Sequence, residues 1–332
     1  DKIQDMVRTN KPQPLVPPHL IHEIDERVDY KGTVVVRLDE AATRESVRAL
    51  LAEGVEAFAV SFLWSFLNPV HEQRAREIIQ EEAPGRYVAL SSDVSPRIRE
   101  FSRSVTTIMN TQVGPRLRAY LEPLEASLRD RGLRGSLLVM QGSGGCVTAE
   151  DAPARAITTI GSVLTGGVVG CTRLADELGH RNVISTDMGG TTFLTGLVVD
   201  GEPVSSTSTV LNQYQVNVPM VDVHTIGAGG GAIAWVDAGG NLHVGPRSAG
   251  ARPGPACYGE GGTEPTVTGV DLVLGIVNPD TFLGGKKKLH RRLAEEAIRV
   301  KIAEPLGMSV ESAAAAVYAI QKLQQLGARP IT

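Results

Sequence analysis

Of the 36 glycines in this 332-residue chain, 28 fall between Gly142 and Gly285, with six before and two after. Glycine adopts backbone conformations and permits close approaches that a Cβ forbids, so this middle stretch must turn sharply or press backbone against something at many points. The flanks read differently. "HLIHEIDERVDYKGTVVVRLD" alternates as paired strands do, and "EAATRESVRALLAEG" has helical spacing that ends on Gly54. "VEAFAVSFLW" is a buried-strand run, "NPVHEQRAREIIQEEAP" is an amphipathic helix stopped by Pro84, and "YVALSSDV" supplies the next strand. This βαβ grammar predicts an α/β fold. "SVTTIMNTQVGPRLRAYLEPLEASLRDRG" carries apolar residues at helical spacing, and Pro115 and Pro123 are expected to kink or divide it. The chain closes on two helical stretches, the second with Ser309 as its N-cap.

Composition narrows the class of function. Hydrophobic residues at 42%, charged residues at 21% and a net charge of −4 are ordinary for a soluble globular protein and give no electrostatic footprint for nucleic acid. Cys146, Cys171 and Cys257 lie far apart, without a CxxC pair, so neither a disulfide framework nor a zinc site is expected. The longest apolar run, around Ala57 to Leu67, is too short for a bilayer and is broken by Ser61 and Ser65. "DKIQDMVRTNKPQ" lacks the apolar core of a signal peptide. A cytoplasmic protein with no membrane partner is the expectation.

The stretch "STDMGGTTFLTGLVVDGEP" carries the chemistry. "NVIST" (182–186) and "FLTGLVV" (193–199) are strand candidates, and Asp200-Gly201 is a tight-turn signal into a third strand, which makes a three-stranded meander. The first bend, Asp187-Met188-Gly189-Gly190-Thr191-Thr192, offers consecutive backbone N–H groups that side chains do not cover, the arrangement that cradles phosphate oxygens. Beside a phosphate, Asp187 would hold a magnesium-bound water or orient a nucleophile. The competing reading is a plain glycine turn in which Asp187 satisfies local amides. A P-loop is excluded, because it needs a Lys and a following helix.

Other stretches are weighed in the same way. Gly227-Ala228-Gly229-Gly230-Gly231-Ala232 formally matches G-x-G-x-x-A, but "AIAWVDAGGNLHVG" after it alternates like a hairpin, so it is no dinucleotide fingerprint. Asp222 and His224, just before that run, are candidate polar site residues, although a lone His at a strand end is more often structural. Gly166-Gly167 fall near a helix start, where free amides suit an anion and small residues equally suit tight packing. "RSAGARPGPACYGEGGTEPT" could shape a cleft through Arg252, and Cys257 within it reads as a buried small residue rather than a nucleophile. Lys286 to Lys288 read as a solvated helix approach.

The hairpin resembles the phosphate-binding DxGGT element of the hydantoinase A/5-oxoprolinase family. The segments "KPQPLVP", "SFLNPVHE", "VDVHTIGAGGGAIAWVDAGGNLHVGPRSAGARPGPACYGEGGTEPTVT" and "NPDTFLGG" agree with it, so the resemblance runs from about Lys11 to Ala319. It implies an actin-like ATPase fold of the sugar kinase, Hsp70 and actin type, incomplete in this chain. Residues 1–84 would be the C-terminal part of the family's N-terminal domain, and 85–332 a truncated hydantoinase A/oxoprolinase domain. The implied cofactors are ATP and Mg²⁺ or Mn²⁺. Asp187 would be catalytic and would address the metal through water. Gly189, Gly190, Thr191, Thr192, Gly227, Gly229, Gly230 and Gly231 would border the nucleotide, with Asp222, His224 and Arg252 at a substrate cleft. The implied activity is phosphorylation of a carbonyl oxygen, opening a cyclic amide of the hydantoin or 5-oxoproline type. The alternatives are a biotin-independent ketone carboxylase subunit or a catalytically silent nucleotide-binding scaffold. A hydantoinase B-type partner subunit and an oligomer are also implied. Three departures stand out: no opening DxGGT hairpin, no later glycine-rich nucleotide segment, and Leu194 where the family commonly carries Asp. "TIGSVLTGG" leans toward the acetone/acetophenone carboxylase branch.

Overall fold

The computed structural model of the chain describes residues 13–327. These form two compact units. One runs to Gly166 and takes in Ser205–Val221; the other comprises Gly167–Val204 and the residues from Asp222 onward.

In the first unit the alternating segment forms a short antiparallel ribbon, β1 (Arg27–Val28) with β2 (Val34–Val36). Asp39 caps α1 (Glu40–Ala52), its carboxylate accepting from the Ala42 N–H at 2.9 Å and so satisfying a donor that the helix cannot. β3 (Ala57–Val60), α2 (Val70–Glu82) and β4 (Tyr87–Leu90) make the expected βαβ unit, with β3 and β4 parallel. Val47, Phe58, Val60, Ile79 and Leu90 pack between these helices and strands. Each such buried side chain contributes about 1.5–3 kcal/mol. After Leu90 the chain leaves the strand for a single helical turn, α3 (Ser91–Val94), where the sequence suggests continued extension.

The reason is a buried polar network on the α2 motif. Glu72, fully buried, accepts from the Phe62 N–H (2.9 Å), Ser91 Oγ (2.6 Å), the Ser92 N–H (2.9 Å) and Ser92 Oγ (2.7 Å). Arg103, 1% exposed, donates to Ser91 Oγ (3.0 Å), Phe62 O (2.6 Å) and Arg97 O (2.9 Å). The turn at Ser91 supplies the donors that a buried carboxylate requires.

Arg103 belongs to α4 (Glu100–Asp130), one continuous helix of 31 residues. Pro115 and Pro123 therefore do not divide it. Val105, Thr106, Asn110, Gly114 and Leu121 are buried along its length, and that burial outweighs the local penalty of the prolines. Gly114 also helps directly: lacking a Cβ, it avoids part of the pre-proline clash and makes room for the Tyr87 ring, whose Cζ would sit 2.3 Å from a Cβ there. A hairpin follows, β5 (Leu138–Met140) with β6 (Cys146–Thr148).

α5 (Ser162–Glu177) leads into the second unit, placing Gly166 and Gly167 in its second turn. The meander appears as expected: β7 (Val183–Met188) pairs with β8 (Phe193–Val199), which pairs with β9 (Glu202–Pro203) across the Asp200-Gly201 turn. Both turn residues have positive φ, 53° and 86°, as a two-residue hairpin turn requires. Gly196 lies under α5, and a Cβ there would be 2.4 Å from Val168 Cγ2.

The chain then returns to the first unit for two small ribbons. β10 (Ser205–Ser206) pairs with β13 (Met220–Val221), and β11 (Thr209–Leu211) with β12 (Tyr214–Val216). Val216 and Val218 pack with Val105 and Ile157. β14 (Val223–Ile226), which alternation did not single out, joins the second unit's sheet on the free side of β8, giving the order β14-β8-β7. The alternating stretch beyond the glycine run is a hairpin as expected, β15 (Ala232–Val236) with β16 (Leu242–Ser248). The helices that follow are α6 (Val267–Val273), α7 (Arg291–Ile298), which continues through a π-helical stretch (Arg299–Ala303) into α8 (Glu304–Leu306), and α9 (Val310–Gly327). Ser309 caps α9, accepting from the Ser312 N–H at 3.1 Å. Ala234, Val270, Leu272, Ile298, Ile302 and Val317 form this unit's core. Among the described residues no single helix is long and apolar enough to cross a membrane.

Candidate functional site

The sequence-identified hairpin ends in an open tip. Asp187, Gly189, Gly190 and Thr191 are exposed and Thr192 is half-buried. Within the turn, the Gly189 N–H donates to Thr192 O at 2.9 Å. The amides of Gly190, Thr191 and Thr192 have no backbone partner among the described residues. Consecutive free N–H groups next to a carboxylate are what the phosphate reading requires, and the Asp187 side chain satisfies none of them.

The tip keeps this form because a second loop occupies its carbonyl side. The Gly229 N–H donates to Thr191 O (3.3 Å), the Gly230 N–H to Gly189 O (2.9 Å) and the Gly231 N–H to Gly190 O (2.5 Å). Backbone meets backbone here with no side chain between. A Cβ on Gly229 would lie 2.6 Å from Thr191 C, and one on Gly231 would lie 2.7 Å from Gly190 O. These two glycines answer to close approach rather than to an unusual backbone angle. The amides of residues 229–231 are thus spent on the hairpin, and Gly227 packs against Pro246, 3.2 Å from a Cβ built there. Beneath the tip, Phe193 packs with Ala228 and Ile226.

Strand register places the remaining candidates. Asp187, Leu194 and Thr225 lie directly across from one another on β7, β8 and β14, while Thr186, Thr195 and His224 form the neighbouring row. Side chains of adjacent rows point to opposite faces of a sheet. His224 therefore does not share a face with Asp187. Leu194 does share it, and at 7% exposure it is part of the packed sheet. Asp222 is exposed just before β14, its N–H donating to Val204 O at 2.7 Å. Arg252 is exposed on the loop after β16; nearby, the Lys287 ammonium bonded to Glu260 holds that carboxyl below the usual carboxylate range, with the Arg252 charge a smaller contributor. Cys257 is fully buried, and burial pushes its thiol up to about 11, which fits a packing residue and not a nucleophile. Lys287 and Lys288 of the basic run pair with Glu260 and Asp280.

Among the described residues no group of three or more His, Cys, Asp or Glu side chains is arranged to hold a metal ion. Asp187 is the single carboxylate at the tip. Two shallow clefts of about 340 and 350 Å³ open along α4, sharing Arg118 and Glu122, and none of the candidate site residues lines either. Sequence reasoning missed Thr268 and Gln321, which hold the glycine loop from behind. Their partners lie 38 and 93 residues away, so no local signal could mark them.

A sheet bent into an amide-lined tip and backed by helices defines an α/β protein of the actin-like ATPase type, and comparison with known proteins agrees. The chain belongs to the hydantoinase/oxoprolinase family: the model for "Hydantoinase/oxoprolinase" matches residues 103–328, and that for the family's N-terminal region matches residues 2–83. It is 42% identical to the acetophenone carboxylase gamma subunit of Aromatoleum aromaticum over 93% of this chain and 43% of that one. A nucleotide-free structure of acetone carboxylase superposes with a TM-score of 0.80 at 34% identity, covering 97% of this chain and 46% of the other. The crystal structure of the ATP-dependent caprolactamase of Pseudomonas jessenii gives 0.75 at 37% identity, covering 97% and 47%. The chain spans less than half the length of each of these relatives.

Proposed function

We propose that this chain is the phosphate-gripping part of an ATP-dependent enzyme that phosphorylates a carbonyl oxygen. The observation that carries the reading is the exposed tip, where the amides of Gly190, Thr191 and Thr192 stand unpaired beside Asp187. ATP supplies the transferable phosphoryl group. Such a transfer depends on positioning and charge neutralisation, which backbone amides and a carboxylate provide without covalent chemistry. The residues fit Mg²⁺ or Mn²⁺ only in the way Mg²⁺ is commonly held in phosphate sites, by one carboxylate with phosphate oxygens and waters, and Asp187 is that carboxylate. Gly189 shapes the turn. Gly227, Gly229, Gly230 and Gly231 border the site as its backing wall, since their close packing fixes the tip.

Two substrate classes follow from the relatives. One is a cyclic amide, as for the caprolactamase; the other is a ketone, as for the acetophenone and acetone carboxylases. Asp222 and Arg252 are assigned to the approach of that substrate, and His224 to the opposite face of the sheet. Residues to about 84 are assigned to the family's N-terminal region. The gamma, alpha and beta subunit names of the relatives support a partner subunit, for which we propose a hydantoinase B-type chain, and cytoplasmic residence suits three unpaired cysteines. The test is ATP turnover by the assembled enzyme with hydantoin, 5-oxoproline, caprolactam, acetone or acetophenone. Turnover only with a ketone and bicarbonate would remove the cyclic-amide substrate. No binding of Mg²⁺–ATP in calorimetric titration would remove the nucleotide reading and leave a structural subunit.

A further inference from the structure

The glycine loop that backs the tip is itself fastened from behind by two helices. From the start of α6, Thr268 gives both of its donors to one carbonyl, Gly230 O: its N–H at 2.7 Å and its Oγ1 at 2.9 Å. The hydroxyl is not engaged in capping, because Thr266 is the N-cap of α6 and accepts from the Gly269 N–H. A Cβ on residue 230 would lie 2.8 Å from Thr268 Oγ1, so the hydroxyl reaches the loop only because that residue is glycine. From α9, Gln321 lies in the buried stripe of Ala313, Ala314 and Val317 and is 1% exposed. A polar side chain in such a stripe is unfavourable unless partnered. Its Nε2 lies 3.5 Å from Ala228 O and 3.7 Å from Met188 Sδ, so one amide contacts both the glycine loop and the last residue of β7.

We infer that Thr268 and Gln321 are positioning residues for the tip. They hold the glycine loop against the carbonyls of Gly189, Gly190 and Thr191, and thereby keep the amides of Gly190, Thr191 and Thr192 free for a phosphate. The inference rests on the phosphate reading of the tip, but the fastening itself can be read without nucleotide. Thr268→Val removes the hydroxyl at nearly constant volume, Thr268→Ser keeps it, and Gln321→Met removes the amide.

The experiment is residue-resolved amide hydrogen exchange of the intact, nucleotide-free protein, followed by calorimetric titration with Mg²⁺–ATP, with thermal unfolding as a control. Thr268→Val and Gln321→Met should speed exchange at Gly229, Gly230 and Gly231 and weaken ATP affinity, each by about tenfold, the loss of roughly one buried hydrogen bond. Thr268→Ser should restore both. Wild-type exchange and affinity in Thr268→Val and Gln321→Met would overturn the inference, as would a loss of protection spread evenly over the whole chain. If neither the wild-type protein nor Thr268→Ser binds ATP while exchange at 229–231 still responds to the substitutions, the fastening stands and the phosphate reading falls.

Discussion

At the carboxyl ends of β3 and β4 the chain has a parallel strand pair whose following loops would ordinarily face a ligand crevice. Glu72 fills that position, its oxygens taken by Phe62, Ser91 and Ser92, with Arg103 laid across the same loops. At the tip of β7 and β8 the opposite holds: the carbonyls are occupied by a neighbouring loop and the amides are left over. Both places are polar and both are built at strand ends. One is internally satisfied, as a structural network requires; the other is satisfied on one side only, as the proposed phosphate site requires. Unmet hydrogen-bonding capacity at an exposed strand end, rather than polarity as such, separates a site from a staple.

The comparison can be broken at either end. Glu72→Ala should have the largest effect, about 3–5 kcal/mol lost in chemical denaturation, because it leaves four donors without their acceptor and removes a negative charge that favours the buried Arg103 guanidinium. It should leave the ATP affinity of the folded fraction unchanged; a specific loss of affinity would make this network part of a site. Asp187→Asn should do the reverse, lowering ATP turnover by about 100-fold or more with unfolding midpoints unaltered. Wild-type turnover in that variant would remove Asp187 from the chemistry. Gly229→Ala pushes a methyl into the backbone of Thr191 and should destabilise by about 1–3 kcal/mol while weakening nucleotide binding, measured on the same sample. The smallest effect is alkaline. Cys257 titrates near 9 when exposed and at about 11 when buried in the fold, so its contribution is complete below pH 9 and shrinks as pH rises toward 11. It should amount to about 1 kcal/mol lost by pH 10, seen as a flatter alkaline stability profile in Cys257→Ala.

Much of this was legible in the sequence where signals are local. The βαβ unit followed from periodicity, the meander from the Asp200-Gly201 turn, and the tip from adjacent glycines and threonines. That α4 runs undivided through Pro115 is not legible locally, because the stabilising burial comes from Tyr87 and other distant contacts. β14 went unnoticed because a four-residue strand gains its identity from β8, some 30 positions earlier. The glycine run stands out by composition, but its packing role does not: the bonds from residues 229–231 to the hairpin are made by partners some 40 positions away.

Gly196 places Val168 of α5 directly on the backbone of β8, with no side chain as a spacer. A gap one methyl wide would let helix and ribbon slide independently; its absence couples them, since close-packed surfaces transmit displacement instead of absorbing it. The spacing between α5 and the sheet is therefore set by backbone contact at the Ser185–Gly196 row, two residues along β7 from Asp187.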